Sequence, residues 1–110
     1  MADPRLKSLR IKTGVLKRTY KETISYQNEA AKIQEKIKKM QEDGEDVFYV
    51  KKQDGLLQET QSVIVDCQRR LNIAYADVSK LVQDETELEE AEEYIAAKAA
   101  LEEAKALATA

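Results

Sequence analysis

Residues 50–81 have the sequence VKKQDGLLQETQSVIVDCQRRLNIAYADVSKL, and this stretch decides the fold. Mostly apolar or small residues recur in it at alternating steps of three and four, over more than four heptads. That spacing is the a/d pattern of a coiled coil, in which one face of an α-helix packs on a neighbouring helix. Leu56, Val63 and Tyr75 flank the seam, which indicates contact with more than one neighbour. The predicted seam consists of Val50, Gln53, Leu57, Thr60, Ile64, Cys67, Leu71, Ala74, Val78 and Leu81.

The chain before this stretch predicts another long helix. Asp3 can cap a helix and Pro4 suits its first position. An apolar stripe at steps of three or four continues to Met40, and Gly44 suits the left-handed residue that ends a helix. The first helix is therefore predicted at about residues 4–42. The apolar run 47–50 could form a short strand, but no second strand is available to pair with it, so the second helix is predicted at about residues 47–84.

A third helix is predicted after the polar segment 84–86. Thr86 followed by Glu89 has the spacing of a capping box, in which each side chain satisfies a backbone N–H at the start of a helix. This helix is predicted at about residues 87–107, and its second half is rich in Ala.

Three helices joined by two short turns predict an all-α fold, an up-down-up three-helix bundle with spectrin-like, coiled-coil packing. The length of 110 residues suits a single helical-bundle domain covering 1–110. Because the third helix is much shorter than the other two, it can cover only the half of the hairpin farthest from Gly44. Residues 27–50 should therefore keep an open face where a third helix is missing.

The composition excludes most enzyme classes. The chain has no His and a single Cys, so it lacks the usual general base and cannot build a structural zinc site. It contains no glycine-rich phosphate loop, and its net charge of -3 argues against nucleic acid as a partner. No apolar run is long enough to cross a membrane. We expect a cytosolic protein that is not an enzyme, uses no cofactor or metal, and binds neither nucleic acid nor membrane.

Opposite charges are concentrated at the starts of the first and third helices. Residues 1–21 carry seven basic residues and one acid, whereas residues 84–93 carry seven acids and no base. In an up-down-up bundle these two helices begin at the same end, so the two runs can face each other and fix the helix order. The alternative is that the basic run forms a patch for an acidic protein partner.

Three lysines make the open half of the hairpin a candidate binding surface. Lys32, Lys36 and Lys39 lie at helical spacing beside the apolar residues of the first helix. Cations interleaved with apolar residues suit an acidic client that exposes hydrophobic surface.

Other candidate binding residues lie on the second helix. Phe48 and Tyr49 would be an exposed aromatic anchor, or they would fold back as a plug between the first two helices. Arg69 and Arg70 are either solvated charges or a further partner contact. Cys67 lies on the seam, where a thiol acts as a small hydrophobic residue, and a redox role is the weaker alternative.

Read as a whole, the sequence resembles the tubulin-binding cofactor A family. The segments that carry the resemblance span nearly the whole chain: 1–5 (MADPR), 11–15 (IKTGV) with Lys17-Arg18, 66–71 (DCQRRL) and 88–94 (LEEAEEY). The resemblance implies a three-helix bundle that captures β-tubulin folding intermediates released from the cytosolic chaperonin and passes them toward heterodimer assembly without nucleotide. It implies β-tubulin as the partner, a cytoplasmic, cytoskeleton-associated location, and other tubulin-folding cofactors as further candidate partners.

One position departs from the family pattern. Relatives carry a Pro immediately before the Asp-Cys pair, where this chain has Val65. A Pro inside a helix removes a hydrogen bond and kinks the helix, so a straighter second helix is expected here. The alternative function is a structural coiled-coil adaptor that pairs with itself or with another helical protein, since both functions use amphipathic helices.

Overall fold

The computed structural model describes residues 3–108, which form a rod of 65 × 24 × 17 Å. Its elements are three α-helices, α1 (Pro4–Glu42), α2 (Val47–Asp84) and α3 (Glu92–Ala104), with one 3-10 turn (Thr86–Leu88) between α2 and α3. Within this range no residue belongs to a strand. The all-α, up-down-up bundle with a short third helix is confirmed.

Local signals at both ends explain where α1 begins and ends. The Asp3 carboxylate accepts a hydrogen bond from the Arg5 backbone N–H at 2.9 Å, and Pro4 occupies the first turn. At the other end Gly44 has a φ of 69°, a left-handed conformation that costs Gly little. The backbone N–H of Glu45 then donates to the Met40 carbonyl at 3.0 Å, which satisfies one carbonyl at the end of α1.

Asp46 sets the phase of α2. Its carboxylate accepts a hydrogen bond from the Phe48 backbone N–H at 2.9 Å, so the apolar run 47–50 forms the first helical turn. Val50 is the residue of that turn that is buried against α1. The helix continues without a break past Gly55 and Val65 to Asp84.

The third helix begins later than predicted, and the predicted capping box is wrong. Thr86 starts the 3-10 turn, in which the Glu89 N–H donates to the Thr86 backbone carbonyl rather than to its hydroxyl. Ala91 is extended, and α3 begins at Glu92. The physical reason is burial, since Leu88 and Ala91 both pack against the core before the helix starts.

The core is divided along the rod. The main cluster lies at the end far from Gly44, where α3 supplies Tyr94, Ala97, Ala100 and Ala104. A second cluster near Gly44 is built by α1 and α2 alone, from Ile33, Ile37, Met40 and Val50. Every residue of the predicted α2 seam is buried or half-buried. The structure therefore agrees with the expectation that α3 covers only one half of the hairpin.

Candidate partner-binding surface

Two ion pairs identify one side of the α1–α2 hairpin. Lys12 lies 3.6 Å from Asp77, and Arg70 lies 3.6 Å from Glu22. Each of these four residues directly precedes a buried residue of the α1–α2 interface. Those buried residues are Thr13, Thr23, Leu71 and Val78. In this antiparallel pair, residues that directly precede an interface residue thus share one side, which we call the open flank.

The third helix occupies the opposite side. Arg10, Gly14 and Lys17 each directly follow an interface residue of α1, and they line a cleft of about 410 Å³ with residues of α3. The α3 residues in this cleft are Glu92, Glu93 and Ala96. We call this the α3 side.

The predicted lysines and Tyr49 lie on the open flank. Lys32, Lys36 and Lys39 are exposed, and each directly precedes a buried residue of the second cluster, at the end of the rod near Gly44, which we call the tip. Tyr49 is exposed and directly precedes Val50 in α2. The structure therefore brings the three lysines and Tyr49 to the same side of the same end of the rod.

The predicted aromatic plug is wrong, because both aromatic residues are exposed. Phe48 is 59% exposed and Tyr49 is 55% exposed. Their rings meet edge to face at 5.4 Å, and Lys52 Nζ lies 4.9 Å from the centre of the Phe48 ring. Because residues 47–50 form one helical turn, they point in different directions, and Val50 is the one of them that is buried against α1.

Arg69 and Arg70 are not part of this group. Both form ion pairs with Asp66, at 2.7 and 3.1 Å. The hydrogen bond from the Arg69 side chain lowers the pKa of Asp66, with the nearby charge of Arg70 acting in the same direction. Because Tyr49 and Arg70 are 21 residues apart on one helix, about 31 Å separates them along the rod.

Arg5 joins the basic run at the start of α1 to the acidic run 84–93. Arg5 forms an ion pair with Glu85 at 3.1 Å and another with Glu87. It also donates to the Asp3 carboxylate, and these hydrogen bonds lower the pKa of Asp3 and raise that of Arg5. This contact ties the start of α1 to the segment before α3.

The rest of the described chain adds no chemical centre. Among residues 3–108, no group of three or more His, Cys, Asp or Glu side chains is arranged to hold a metal ion. None of the helices within that range has the length and apolar character needed to span a bilayer. Cys67 is 0% exposed, as its place on the seam predicts.

Comparison with known proteins identifies the family. Residues 4–101 match the family model described as Tubulin binding cofactor A. The chain belongs to this family. The tubulin-specific chaperone A of Gallus gallus is 52% identical over 105 residues, which cover 96% of this chain and 97% of that protein.

Solved structures of the family share the fold. The structure of human tubulin chaperone cofactor A superposes with a TM-score of 0.86 at 44% identity, covering 93% of this chain and 99% of that one. The structure of tubulin folding cofactor A from Arabidopsis thaliana gives a TM-score of 0.87 at 31% identity, covering 94% and 97%. The resemblance inferred from the sequence is therefore confirmed.

The sequence predicted only in part the apolar residues that flank the α2 seam. Tyr75 packs toward the main cluster, but Leu56 and Val63 are exposed on the open flank. The α3 side of the tip half, where a longer third helix would lie, is polar instead. It carries the exposed residues Gln34, Gln41, Gln58 and Gln61. The heptad spacing of Tyr49, Leu56 and Val63 was the signal that could have revealed an apolar stripe.

Proposed function

We propose that this protein is a tubulin-folding chaperone that captures β-tubulin folding intermediates after chaperonin release and passes them toward αβ-heterodimer assembly. The family match over residues 4–101 carries the proposal, because proteins similar along this length bear the names tubulin-specific chaperone A and tubulin folding cofactor A. In this proposal the protein acts by binding its client, uses no nucleotide or cofactor, and catalyses no reaction. It acts in the cytoplasm, in association with the cytoskeleton, and other tubulin-folding cofactors are its further candidate partners.

The proposed docking surface is the tip half of the rod, with Lys32, Lys36 and Lys39 beside Phe48 and Tyr49. The aromatic rings are more than half exposed, so they can bury apolar surface against a client. The lysines would steer an acidic client and raise its association rate. Charges farther apart than the Debye length, about 8–10 Å at physiological salt, are largely screened, and this length shortens as salt rises, so capture should weaken.

Arg69 and Arg70 form a proposed second contact. Because Asp66 already accepts hydrogen bonds from both, an acidic group of the client would have to compete with Asp66 for them. Their removal should therefore weaken capture less than loss of the lysines.

Two charge-reversal variants of equal charge change test the docking surface. The first changes Lys32, Lys36 and Lys39 to Glu, and the second changes Lys7, Arg10 and Lys17 to Glu. Each is mixed with unfolded β-tubulin and with native heterodimer in the absence of nucleotide, and complexes are separated by size. We expect the first variant to lose capture of β-tubulin while staying folded, and the second mainly to lower the melting temperature, because Arg10 and Lys17 face the acids of α3.

The outcomes separate the fold from the function. A first variant that binds normally, with a second that is folded but fails to bind, would place the docking surface at the other end of the rod. If the unaltered protein captured neither form of tubulin, the chaperone proposal itself would be wrong. A further control changes Lys38 and Lys51 to Glu, since both are exposed but follow interface residues and so lie on the α3 side.

A further inference from the structure

Besides the docking lysines, the open flank carries a stripe of exposed apolar residues. Tyr49, Leu56 and Val63 each directly precede a seam residue of α2 and are 55%, 43% and 38% exposed. They recur every seven residues, so their Cα atoms are about 10.5 Å apart along one line. The stripe spans about 21 Å in total.

The stripe has a defined end and a defined charge. One heptad beyond Val63 stands Arg70, and its ion pair with Glu22 bridges α2 and α1, which interrupts the apolar stripe there. At the other end, near Tyr49, the groove is bordered by lysines from both helices. These are Lys32, Lys36, Lys39 and Lys52, all exposed.

Four exposed acids lie around Gly44, namely Glu42, Asp43, Glu45 and Asp46. Within the helices, the acids of the open flank lie farther along the groove. Glu29 and Glu59 are exposed, and each directly precedes a buried residue, so both lie on the open flank. Glu59 lies between Leu56 and Val63 on α2. Glu29 is one heptad from Glu22, as Val63 is from Arg70, so the Glu22–Arg70 ion pair places Glu29 level with Val63. The groove is therefore most positive in its middle, beside the four lysines, between the acids around Gly44 and those near Val63.

We propose that this groove holds an amphipathic α-helix of the client, about 14 residues or four turns long, with its acidic residues over the four lysines. This inference rests on the proposed function, since it names the element of β-tubulin that the open flank binds. A helix repeats its apolar face every seven residues and so meets all three side chains in register. An extended segment repeats its face every two residues, or about 6.7 Å, and does not match the 10.5 Å spacing.

The lysines of the groove suit an acidic client helix better than a second copy of this chain that docks in parallel. A partner helix with glutamates beside the lysines would pair with them, whereas a second open flank in parallel would set lysines against lysines. On the α3 side, Gln58 occupies the position that corresponds to Leu56 of the groove.

The first test replaces the apolar stripe without touching the lysines. The double variant Leu56→Gln with Val63→Gln keeps the fold, because both side chains are exposed, and its control is Val65→Gln, which removes a 71% exposed apolar residue outside the groove. Capture of unfolded β-tubulin should weaken at least about tenfold in the double variant, since each side chain would bury much of its remaining apolar surface. The control should bind as the unaltered protein does.

The second test identifies the occupant. A photoreactive benzoyl-phenylalanine replaces Leu56 in one protein and Gln58, on the α3 side, in another, and crosslinked β-tubulin peptides are read by mass spectrometry. Crosslinks from position 56 to an acidic, amphipathic helical segment of β-tubulin would support the inference. Crosslinks from position 58 instead, or from position 56 to an extended segment, overturn it.

The outcomes distinguish this inference from the proposed function. If the unaltered protein captures β-tubulin and the double variant captures it equally well, the groove inference is wrong and the chaperone proposal stands. If the pure protein is a dimer that the double variant breaks, the occupant is a second copy and the inference is wrong. If the unaltered protein captures no β-tubulin, both are wrong.

Discussion

Replacing Leu71 by Ala tests the packing of the α2 seam. Leu71 is 0% exposed and belongs to the main cluster, which α1, α2 and α3 build together. The change removes three buried carbon atoms, which costs about 2.4 kcal/mol at roughly 0.8 kcal/mol per buried methylene. A residual cavity adds to this, and measured losses for buried Leu→Ala changes lie at about 2–5 kcal/mol.

The thinness of the rod places the expected value in the lower half of that range. Its smallest dimension is 17 Å, so neighbouring side chains can move into part of the cavity from the solvent side. We expect a loss of about 3 kcal/mol in the free energy of unfolding, equivalent to a fall in melting temperature of about 12 °C. Urea titration followed by far-ultraviolet circular dichroism measures it.

The matched control is Leu56→Ala on the same helix. Leu56 is 43% exposed, so the same chemical change should cost under about 1 kcal/mol. A loss below about 0.5 kcal/mol for Leu71→Ala, or equal losses for the two variants, would mean that Leu71 is not in the core and would refute the seam.

Two further changes test the ends of the helices. Tyr94→Phe keeps the buried ring but removes the hydroxyl that donates to the Val82 carbonyl at 2.9 Å, one of the last carbonyls of α2. We expect the free energy of unfolding to fall by about 1–2 kcal/mol in the same urea titration. An unchanged midpoint would mean that water replaces the hydroxyl. Asp3→Asn keeps a capping side chain but removes the charge. Hydrogen bonds from Arg5 lower the pKa of Asp3, so the charge stabilises the fold. This stabilisation is present above the usual Asp pKa of about 4 and disappears as the pH falls through the lowered pKa. The variant should therefore be less stable than the parent at neutral pH and equal to it in strong acid, and a difference in stability that does not change with pH would contradict this.

Local sequence signals predicted the parts of the fold that short-range interactions decide. Asp3 with Pro4, and Gly44, act on adjacent backbone groups, and α1 runs between them. The α2 seam was visible because a helix repeats its face at a fixed spacing, whatever it packs against. The start of α3 was not predictable in this way. The Thr86–Glu89 spacing is a local signal that the burial of Leu88 and the Tyr94–Val82 hydrogen bond override.

The sequence predicted which residues lie together at the candidate site, but not on which side of the hairpin they lie relative to α3. Exposed lysines beside apolar seam residues follow from helical spacing alone, and the structure places Lys32, Lys36 and Lys39 together. Which flank α3 would take depends on how the chain turns after Asp84, and spacing carries no information on that choice. For the same reason the sequence did not show that the exposed apolar residues and the vacant position of a longer third helix lie on opposite sides.

The unequal helices give the two halves of the rod different cross-sections. In one half, α3 completes a three-helix core with small residues such as Ala97 and Ala100, which let the helices approach closely. In the other half the core has only two helices, and its buried residues form a separate small cluster. A client helix seated on Tyr49, Leu56 and Val63 would give this half a third helix as well, on the flank opposite to α3. The energy of capture would then come from the kind of apolar contact between helices that already stabilises the other half, while the lysines of the open flank would select an acidic partner.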